Sequence, residues 1–207
     1  MNFNNELKSV KYGVWVDGIF SWLDSEKWVC DSDKLSSKRN FTNENLKLSI
    51  TFQPKFLATN TLQEVTIANL KAEKRNLKFF CSQTFTERGS EGLTFYAPSI
   101  SAIVHSYDNT YLLVNGMLKK QGIVQYCTDF QDPCSLEDGT MLMQPFSSKR
   151  SVNIFSLEGE IQAKEKTNAY FWLCKGLDEK NVQQTNAFIK LQLLTSLDSE
   201  TNFLKTV

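Results

Sequence analysis

Apolar residues alternate with polar ones at every second position along most of this chain, and this period of two constrains the fold more than any other feature. The clearest case is Gly13–Trp22, which reads GVWVDGIFSW. Asp17 and Gly18 supply the two positive-φ positions of a type I′ turn, so we expect a β-hairpin that places Val16 opposite Ile19. The chain therefore begins with a strong β signal.

The alternation continues beyond the hairpin. It predicts further strands at residues 46–52, 62–70, 77–85, 100–107, 111–115, 122–127, 151–157 and 167–174. Short strands at hairpin spacing favour antiparallel pairing over a parallel sheet with crossover helices. The sequence therefore predicts an all-β fold, an antiparallel β-sandwich of about nine or more strands.

Two regions depart from this pattern. Residues 128–150 carry turn-forming and charged residues without alternation, and they predict a long irregular loop. After Gly176 the apolar spacing becomes helical, with Asp178 as a candidate N-cap. We expect a helix over 178–196 and two units along the chain, a β-sandwich domain at 1–176 and a linker-like helix and tail at 177–207.

The charge balance excludes some classes of function. Of 207 residues, 23 are Lys or Arg and 23 are Asp or Glu, while 41% are hydrophobic, which is typical of an ordinary globular domain. A nucleic-acid-coating surface is not expected from such a balance. The sequence shows no stretch of about 20 apolar residues and no apolar core of a signal peptide, so we expect no membrane segment and a cytoplasmic location.

Few residues carry recognisable catalytic chemistry. Phosphate-binding glycine motifs are absent, the five cysteines include no CxxC pair, and His105 is the single histidine, so we expect no cofactor and no metal site. Acidic residues in loops, namely Glu87, Glu91, Glu137 and Asp138, are typical of solvated surface. We nominate no catalytic residue.

Aromatic residues are more informative, since 15 Phe, 6 Tyr and 4 Trp occur. Trp15, Trp22 and Trp28 lie close together along the chain, and Tyr96 joins them as a further candidate. Exposed flat rings are suited to stacking on the apolar faces of sugar rings, but large rings also fill sandwich cores. Both interpretations of these four residues, carbohydrate contact and core packing, stay open.

Several segments in order resemble one known family. The segments 12–24, 65–70, 77–85, 111–116 and 170–176 are similar to successive strands of the amino-terminal β-sandwich domain of prokaryotic glycoside hydrolase family 15, the glucoamylase, glucodextranase and trehalase-like group. The resemblance spans roughly residues 10–195 and lies in the order of many short matches.

The resemblance implies a role in carbohydrate metabolism without catalysis. In that family an acid and base pair performs inverting hydrolysis of terminal α-glucosidic bonds, and both residues belong to a following (α/α)6 barrel. The helix after Gly176 resembles the linker into that barrel. Strands that precede the hairpin in the family have no counterpart before Val10. The resemblance therefore implies a non-catalytic module of a glucoamylase-like α-glucan hydrolase, a truncated or split-gene product.

Two alternatives remain beside this hypothesis. In the first, the chain is a stand-alone carbohydrate-binding module that holds an α-glucan. In the second, it is an interaction protein that pairs with a separately encoded barrel. The apolar positions Ile189, Leu193 and Leu197 of the predicted helix are expected to leave an exposed patch. We therefore expect the chain to self-associate or to bind a catalytic barrel.

Overall fold

A computed structural model of the chain describes residues 7–33, 37–57, 60–85, 92–131, 136–148 and 152–203. The elements in these ranges are β1 (Leu7–Val16), β2 (Ile19–Trp22), β3 (Val29–Asp33), β4 (Lys38–Asn43), β5 (Leu48–Leu57), β6 (Asn60–Asn69), β7 (Arg75–Phe85), β8 (Leu93–Ala97), β9 (Ala102–Tyr107), β10 (Thr110–Leu118), β11 (Tyr126–Cys127), β12 (Phe146–Ser147), β13 (Asn153–Ile161), β14 (Lys166–Gly176) and α1 (Glu179–Phe203).

The strands form two sheets that face each other across one core. The five-stranded sheet has the order β11-β13-β7-β1-β2, and the nine-stranded sheet has the order β12-β8-β9-β10-β14-β6-β5-β4-β3. Neighbouring strands pair antiparallel, as β1 does with β7 and β10 with β14. The predicted all-β antiparallel sandwich is confirmed.

The first hairpin forms as the sequence predicts. Asp17 and Gly18 both have positive φ, at 54° and 80°. Val16 lies opposite Ile19 in the register of β1 and β2. The turn chemistry therefore fixes the register of the first strand pair, and with it the face on which each side chain of β1 lies.

Alternation sorts the side chains of each strand between the core and an outer face. In β7, Phe79 and Cys81 point into the space between the sheets, whereas Phe80 points outward. The same sorting places Phe171 of β14 in the core and Trp172 on the outer face of the nine-stranded sheet. Both faces of each sheet carry apolar side chains, so each outer face needs a cover of its own.

Helix α1 covers the outer face of the nine-stranded sheet. Val182, Ile189 and Leu193 are at most 1% exposed and pack against a cluster that includes Trp172. The expectation of an exposed apolar patch at Ile189, Leu193 and Leu197 is therefore wrong. The outer faces of β10 and β14 are themselves apolar, and they bury this side of the helix.

The ends of the helix are predicted unequally well. The Asp178 carboxylate accepts the backbone N–H of Asn181 at 2.8 Å, so the predicted N-cap is confirmed. The helix continues to Phe203 instead of ending near Ser196. No Gly or Pro follows Ser196 before the end of the helix, so the sequence carries no stop signal there.

Among the described residues, no helix combines the length and apolarity needed to cross a membrane.

The sequence pattern does not predict four of the strands, namely β3, β4, β8 and β12. All four lie at or next to an end of the nine-stranded sheet, and β3 and β12, at its two ends, lack one neighbour. Strand β4, with the sequence KRNFTN, has little apolar alternation to detect. Conversely, of the predicted strand at 122–127 only Tyr126–Cys127 is extended and paired.

The predicted loop at 128–150 acts as the cover of the five-stranded sheet. Within its described part, Leu136 is 0% exposed and Met141 is 8% exposed, and both pack against outward residues of the sheet, including Phe80. The short strand β12 interrupts the loop and pairs with β8. The prediction of an entirely irregular segment is therefore wrong at β12, where main-chain pairing needs no apolar pattern.

Candidate functional site

A groove of about 790 Å³ lies on the outer face of the five-stranded sheet. Strands β1, β7 and β13 form its floor, and the turn after β10 borders it. Its lining residues are Trp15, Asn76, Leu77, Lys78, Lys119, Gln121, Val124, Glu158, Gly159, Glu160 and Gln162. A volume of this size falls within the range of small-molecule sites in proteins.

Trp15 supplies the aromatic wall of the groove. Its position in β1, next to inward Val14 and Val16, directs the ring to the outer face. Lys78 Nζ lies 5.2 Å from the ring centroid in a cation–π contact. The ring also packs against Gly139, where an added Cβ would lie 2.6 Å from ring atoms. The loop therefore approaches the indole more closely than any other residue type would permit.

The polar wall is centred on Glu158 of β13. Its Oε1 accepts hydrogen bonds from Ser156 Oγ at 2.7 Å and from Gln125 Nε2 at 2.5 Å. Its Oε2 lies 3.9 Å from Lys78 Nζ. Lys78 also donates to the carbonyl oxygen of Gly139 at 2.7 Å. These bonds hold a carboxylate and an ammonium group in fixed positions beside the Trp15 ring.

A second carboxylate faces the same groove. Glu160 lies two residues after Glu158 in β13, so the two side chains share one face of the strand. Lys74 Nζ lies 2.9 Å from Glu160 Oε1. Each carboxylate therefore has a lysine partner, and the two stand side by side on one strand. An acid and base pair must instead flank a glycosidic bond from two sides.

The arrangement has the properties of a binding surface. Trp15, which is partly buried, contributes to the wall of the groove, and the fixed carboxylate, ammonium and amide groups beside it can accept or donate hydrogen bonds. Strand alternation in β7 and β13 is the sequence signal that places Lys78 and Glu158 on the outer face. The sequence does not indicate them as site residues, because their pairing across the sheet depends on the register of the strands.

The structure separates the four aromatic candidates. Trp15 lines the groove, whereas Trp28 is 6% exposed in the core and donates its indole N–H to Ser21 Oγ at 2.9 Å. Trp22 packs edge-to-face with Phe20 at 5.0 Å between ring centroids.

Tyr96 lies in another part of the sandwich from Trp15. Its ring stacks on Tyr126 at 3.7 Å, partly buried against the core. The structure therefore does not gather the four rings into one surface.

The remaining polar residues of interest occupy structural positions. His105 is 1% exposed between the sheets, with Nδ1 2.9 Å from Thr94 Oγ1 and Nε2 3.0 Å from Asn153 Nδ2. Asp138 is exposed, and hydrogen bonds from Thr140 lower the pKa of its carboxyl. Glu137 is also exposed. The other two acidic candidates, Glu87 and Glu91, lie outside the described residues.

The cysteines have no ligand geometry in the part of the chain that the structure describes. Cys81, Cys127 and Cys174 are buried and Cys30 is exposed, all as free thiols. Burial raises the pKa of Cys174 to about 12, so this thiol stays protonated. Cys134 lies outside the described residues. Within the described ranges, no group of three or more His, Cys, Asp or Glu side chains is placed to hold a metal ion.

Comparison with known proteins identifies the fold. No protein-family model matches the sequence, and no curated protein sequence matches it either. A bacterial glucoamylase in complex with acarbose has a similar structure, with a TM-score of 0.64 and 13% identity over 89% of this chain. A polysaccharide lyase is also similar, with a TM-score of 0.56 and 8% identity over 88% of this chain.

These two likenesses show the β-sandwich fold. The chain spans 29% of the glucoamylase chain and 28% of the lyase chain. Its architecture is therefore that of a β-sandwich region which, in both of these larger proteins, makes up less than a third of the polypeptide.

Proposed function

We propose that this chain is a non-catalytic β-sandwich module of a glucoamylase-like α-glucan hydrolase of glycoside hydrolase family 15 type. The observation that carries the proposal is the likeness of 89% of the chain to only 29% of a bacterial glucoamylase. The ordered segment resemblance to the family's amino-terminal domain supports the same assignment. In this role the sandwich braces a catalytic (α/α)6 barrel, on the same polypeptide or on another.

The state of the acidic residues supports a non-catalytic role. Glu158 and Glu160 are the carboxylates of the groove, and each is engaged by a lysine. The two carboxylates lie side by side on one strand, whereas an acid and base pair must flank a glycosidic bond from two sides.

A hydrolysis assay tests the non-catalytic assignment. The purified full chain is incubated with maltooligosaccharides, dextran and trehalose, and released glucose is measured. We expect no release above that of a buffer control. Glucose release that persists through purification, and that is lost in Glu158→Gln or Glu160→Gln, would overturn the assignment, because it would place an active carboxylate in the groove.

The groove favours carbohydrate binding as a second candidate function. Its aromatic wall at Trp15 and the fixed polar groups of Lys78 and Glu158 offer apolar contact and hydrogen bonds to a sugar ring. The proposed ligand is an α-glucan segment. This function is compatible with the first, since a module that braces a barrel can also hold its substrate chain.

Affinity gel electrophoresis in soluble starch tests this second candidate. We expect retardation of the wild-type chain and its loss in Glu158→Gln, which removes the charge of the groove carboxylate but keeps its size. Glu44→Gln serves as the matched control, because it makes the same substitution at a side chain that is 74% exposed and lies outside the groove. Equal retardation of wild type and Glu158→Gln, or no retardation at all, would contradict binding at this groove.

A further inference from the structure

Half of strand β1 forms a sheet edge that has no neighbouring strand among the described residues. β1 pairs with β7 from Leu7 opposite Phe85 to Val16 opposite Leu77, with an irregularity between Leu7 and Ser9. On its other side, β2 pairs only with Gly13–Val16. In the described part of the chain, the segment Leu7–Lys11 therefore has no strand on that side. We call this segment the β1 edge.

The backbone groups of Val10 point to this open side. The carbonyl of Tyr12 accepts the N–H of Leu23, which follows β2, so the Tyr12 main chain faces the β2 side. Alternate residues of a strand direct their N–H and C=O groups to the same side. The N–H and C=O of Val10 consequently face the open side, while those of Lys11 face β7.

A cleft continues inward from the β1 edge. The nine-stranded sheet has more strands than the five-stranded sheet, and residues of its strands β4, β5 and β6 face the β1 edge across this cleft. A space of about 350 Å³ separates Leu7, Val10 and Tyr12 on one side from Arg39, Pro54 and Gln63 on the other. Phe56, two residues after Pro54 on the same face, is 76% exposed. Apolar surface and unpaired main-chain groups therefore meet at one place.

The charge at this place is positive. Arg39 stands at the cleft with its guanidinium 5.6 Å from the centroid of the Phe52 ring. Arg39 has no carboxylate within ion-pair distance among the described residues. Lys11 is paired with Asp24 at 3.0 Å. An occupant of the cleft thus gains from carrying acidic side chains.

We propose that the β1 edge receives an extended strand of a partner protein, in which the alternate residues that face the cleft are apolar except for one acidic residue. Its main chain pairs with Val10, its apolar side chains fill the cleft against Pro54, and its carboxylate meets Arg39, which lines the same cleft. Strand addition of this kind draws affinity from main-chain hydrogen bonds and specificity from alternate side chains. The proposal is independent of carbohydrate binding, because the groove lies on the outer face of the sheet.

Hydrogen exchange with a designed peptide tests the proposal. The probe is a short blocked peptide in which Thr alternates with cleft-facing Val, Val and Glu. We expect it to slow exchange of the Val10 amide by about tenfold while leaving the Lys11 amide, which already faces β7, unchanged. Two control peptides are matched to it, one with Lys in place of the Glu and one with the same residues in an order that breaks the alternation. Neither control is expected to protect Val10.

Two variants sharpen the test. Arg39→Glu reverses the charge at the cleft, so it is expected to favour the Lys peptide over the Glu peptide. Val10→Pro removes the free N–H at an edge position where Pro is tolerated, and it is expected to abolish binding while the Lys11 amide stays protected.

Several results would overturn the proposal. Two of them concern the peptides: equal protection of the Val10 amide by all three peptides, or no protection by the Glu peptide. The other two concern the free chain. Protection of the Val10 amide by residues 1–6 would show that the edge is already occupied, and protection that depends on the protein's own concentration would assign the edge to a second copy.

Discussion

Arg75 illustrates how single residues hold the corners of this sandwich together. It is 3% exposed, and its Nε donates to Asp17 Oδ2 at 2.9 Å while its Nη1 donates to the carbonyl oxygen of Leu46 at 2.7 Å. Asp17 belongs to the β1–β2 turn and Leu46 precedes β5. One guanidinium therefore joins the two sheets at one end of the sandwich.

The first prediction concerns Arg75→Met, which keeps much of the side chain's volume but removes the guanidinium. The Leu46 carbonyl and the Asp17 carboxylate then lose buried donors, so we expect a loss in the free energy of unfolding of about 2–3 kcal/mol. Urea denaturation followed by tryptophan fluorescence measures it. Lys74→Met, which removes an exposed ion pair with Glu160, is the matched control and is expected to cost about 0.5 kcal/mol or less.

The second prediction concerns acid. Burial opposes ionisation of Asp17, but hydrogen bonds from Arg75 and Lys71 outweigh it and lower the pKa of this carboxyl. A lowered pKa contributes stability above the unfolded value of about 3.9, and the contribution disappears as the pH falls through the folded pKa. Asp17→Asn preserves the turn preference, so the wild type should exceed it in stability near neutral pH and lose that advantage in acid. A stability difference that does not change with pH would contradict this assignment.

At the residue scale, sequence reasoning succeeds where chemistry is local. Asp17 and Gly18 predict their turn because a type I′ turn demands these backbone conformations from adjacent residues. Arg75 escapes prediction because its partners lie 58 and 29 residues away along the chain. Only the fold brings them within hydrogen-bond distance.

Two elements, the first hairpin and the helix, decide how the layers are assembled. The hairpin fixes the register of β1, and with it the placement of Trp15 on the outer face and of Val14 in the core. Helix α1 closes the opposite outer face. In its middle, Asn186 Oδ1 accepts hydrogen bonds from Asn115 Nδ2 and Trp172 Nε1, each at 3.0 Å. The helix is thus positioned by a buried polar contact as well as by apolar packing.

The third prediction tests the hairpin with Gly18→Val. The space around Gly18 is open, with no atom within 4 Å of an added Cβ, so the cost comes from its φ of +80° alone. A β-branched residue resists this conformation, and we expect a loss of about 1–2 kcal/mol in the free energy of unfolding. Gly18→Asn, which tolerates positive φ, should lose less than half as much. Equal losses in thermal denaturation would show that the turn conformation is not the cause.

The fourth prediction tests the docking of the helix with Asn186→Leu. Leucine fills the site but leaves the Asn115 and Trp172 donors without an acceptor, so we expect a loss of about 2–3 kcal/mol and a change in tryptophan fluorescence. Phe188→Ser, at a 41% exposed position of the same helix, controls for substitution in α1 and should change stability by about 0.5 kcal/mol or less. Wild-type stability and fluorescence in Asn186→Leu would refute the role of this contact.

Element types follow from the sequence more readily than element partners. Strands with strong alternation, such as β7 and β14, are predicted within a few residues, whereas the polar strand β4 is not. The groove is harder still, because Trp15, Lys78 and Glu158 come from three strands that the pairing of β1, β7 and β13 places side by side. Sequence alone indicates Trp15 as an aromatic candidate, but not its polar neighbours.

The whole molecule is a sandwich with a cover on each outer face. Loop residues Leu136 and Met141 cover the five-stranded sheet, and α1 covers the nine-stranded sheet. The covers leave two features accessible, the groove at Trp15 and the β1 edge. They lie on different surfaces, so the two proposed ligands, a sugar chain and a partner strand, would not compete for one site.

The central claim is that the chain is a module that braces a catalytic barrel, and co-purification tests it most directly. The full chain is co-expressed with a glucoamylase-type (α/α)6 barrel that lacks its own sandwich domain, and one partner carries an affinity tag. The account predicts a soluble one-to-one complex on size exclusion and a barrel that unfolds at a higher temperature in the presence of the chain. A barrel that stays separate from the chain, with an unchanged unfolding temperature, would contradict the account.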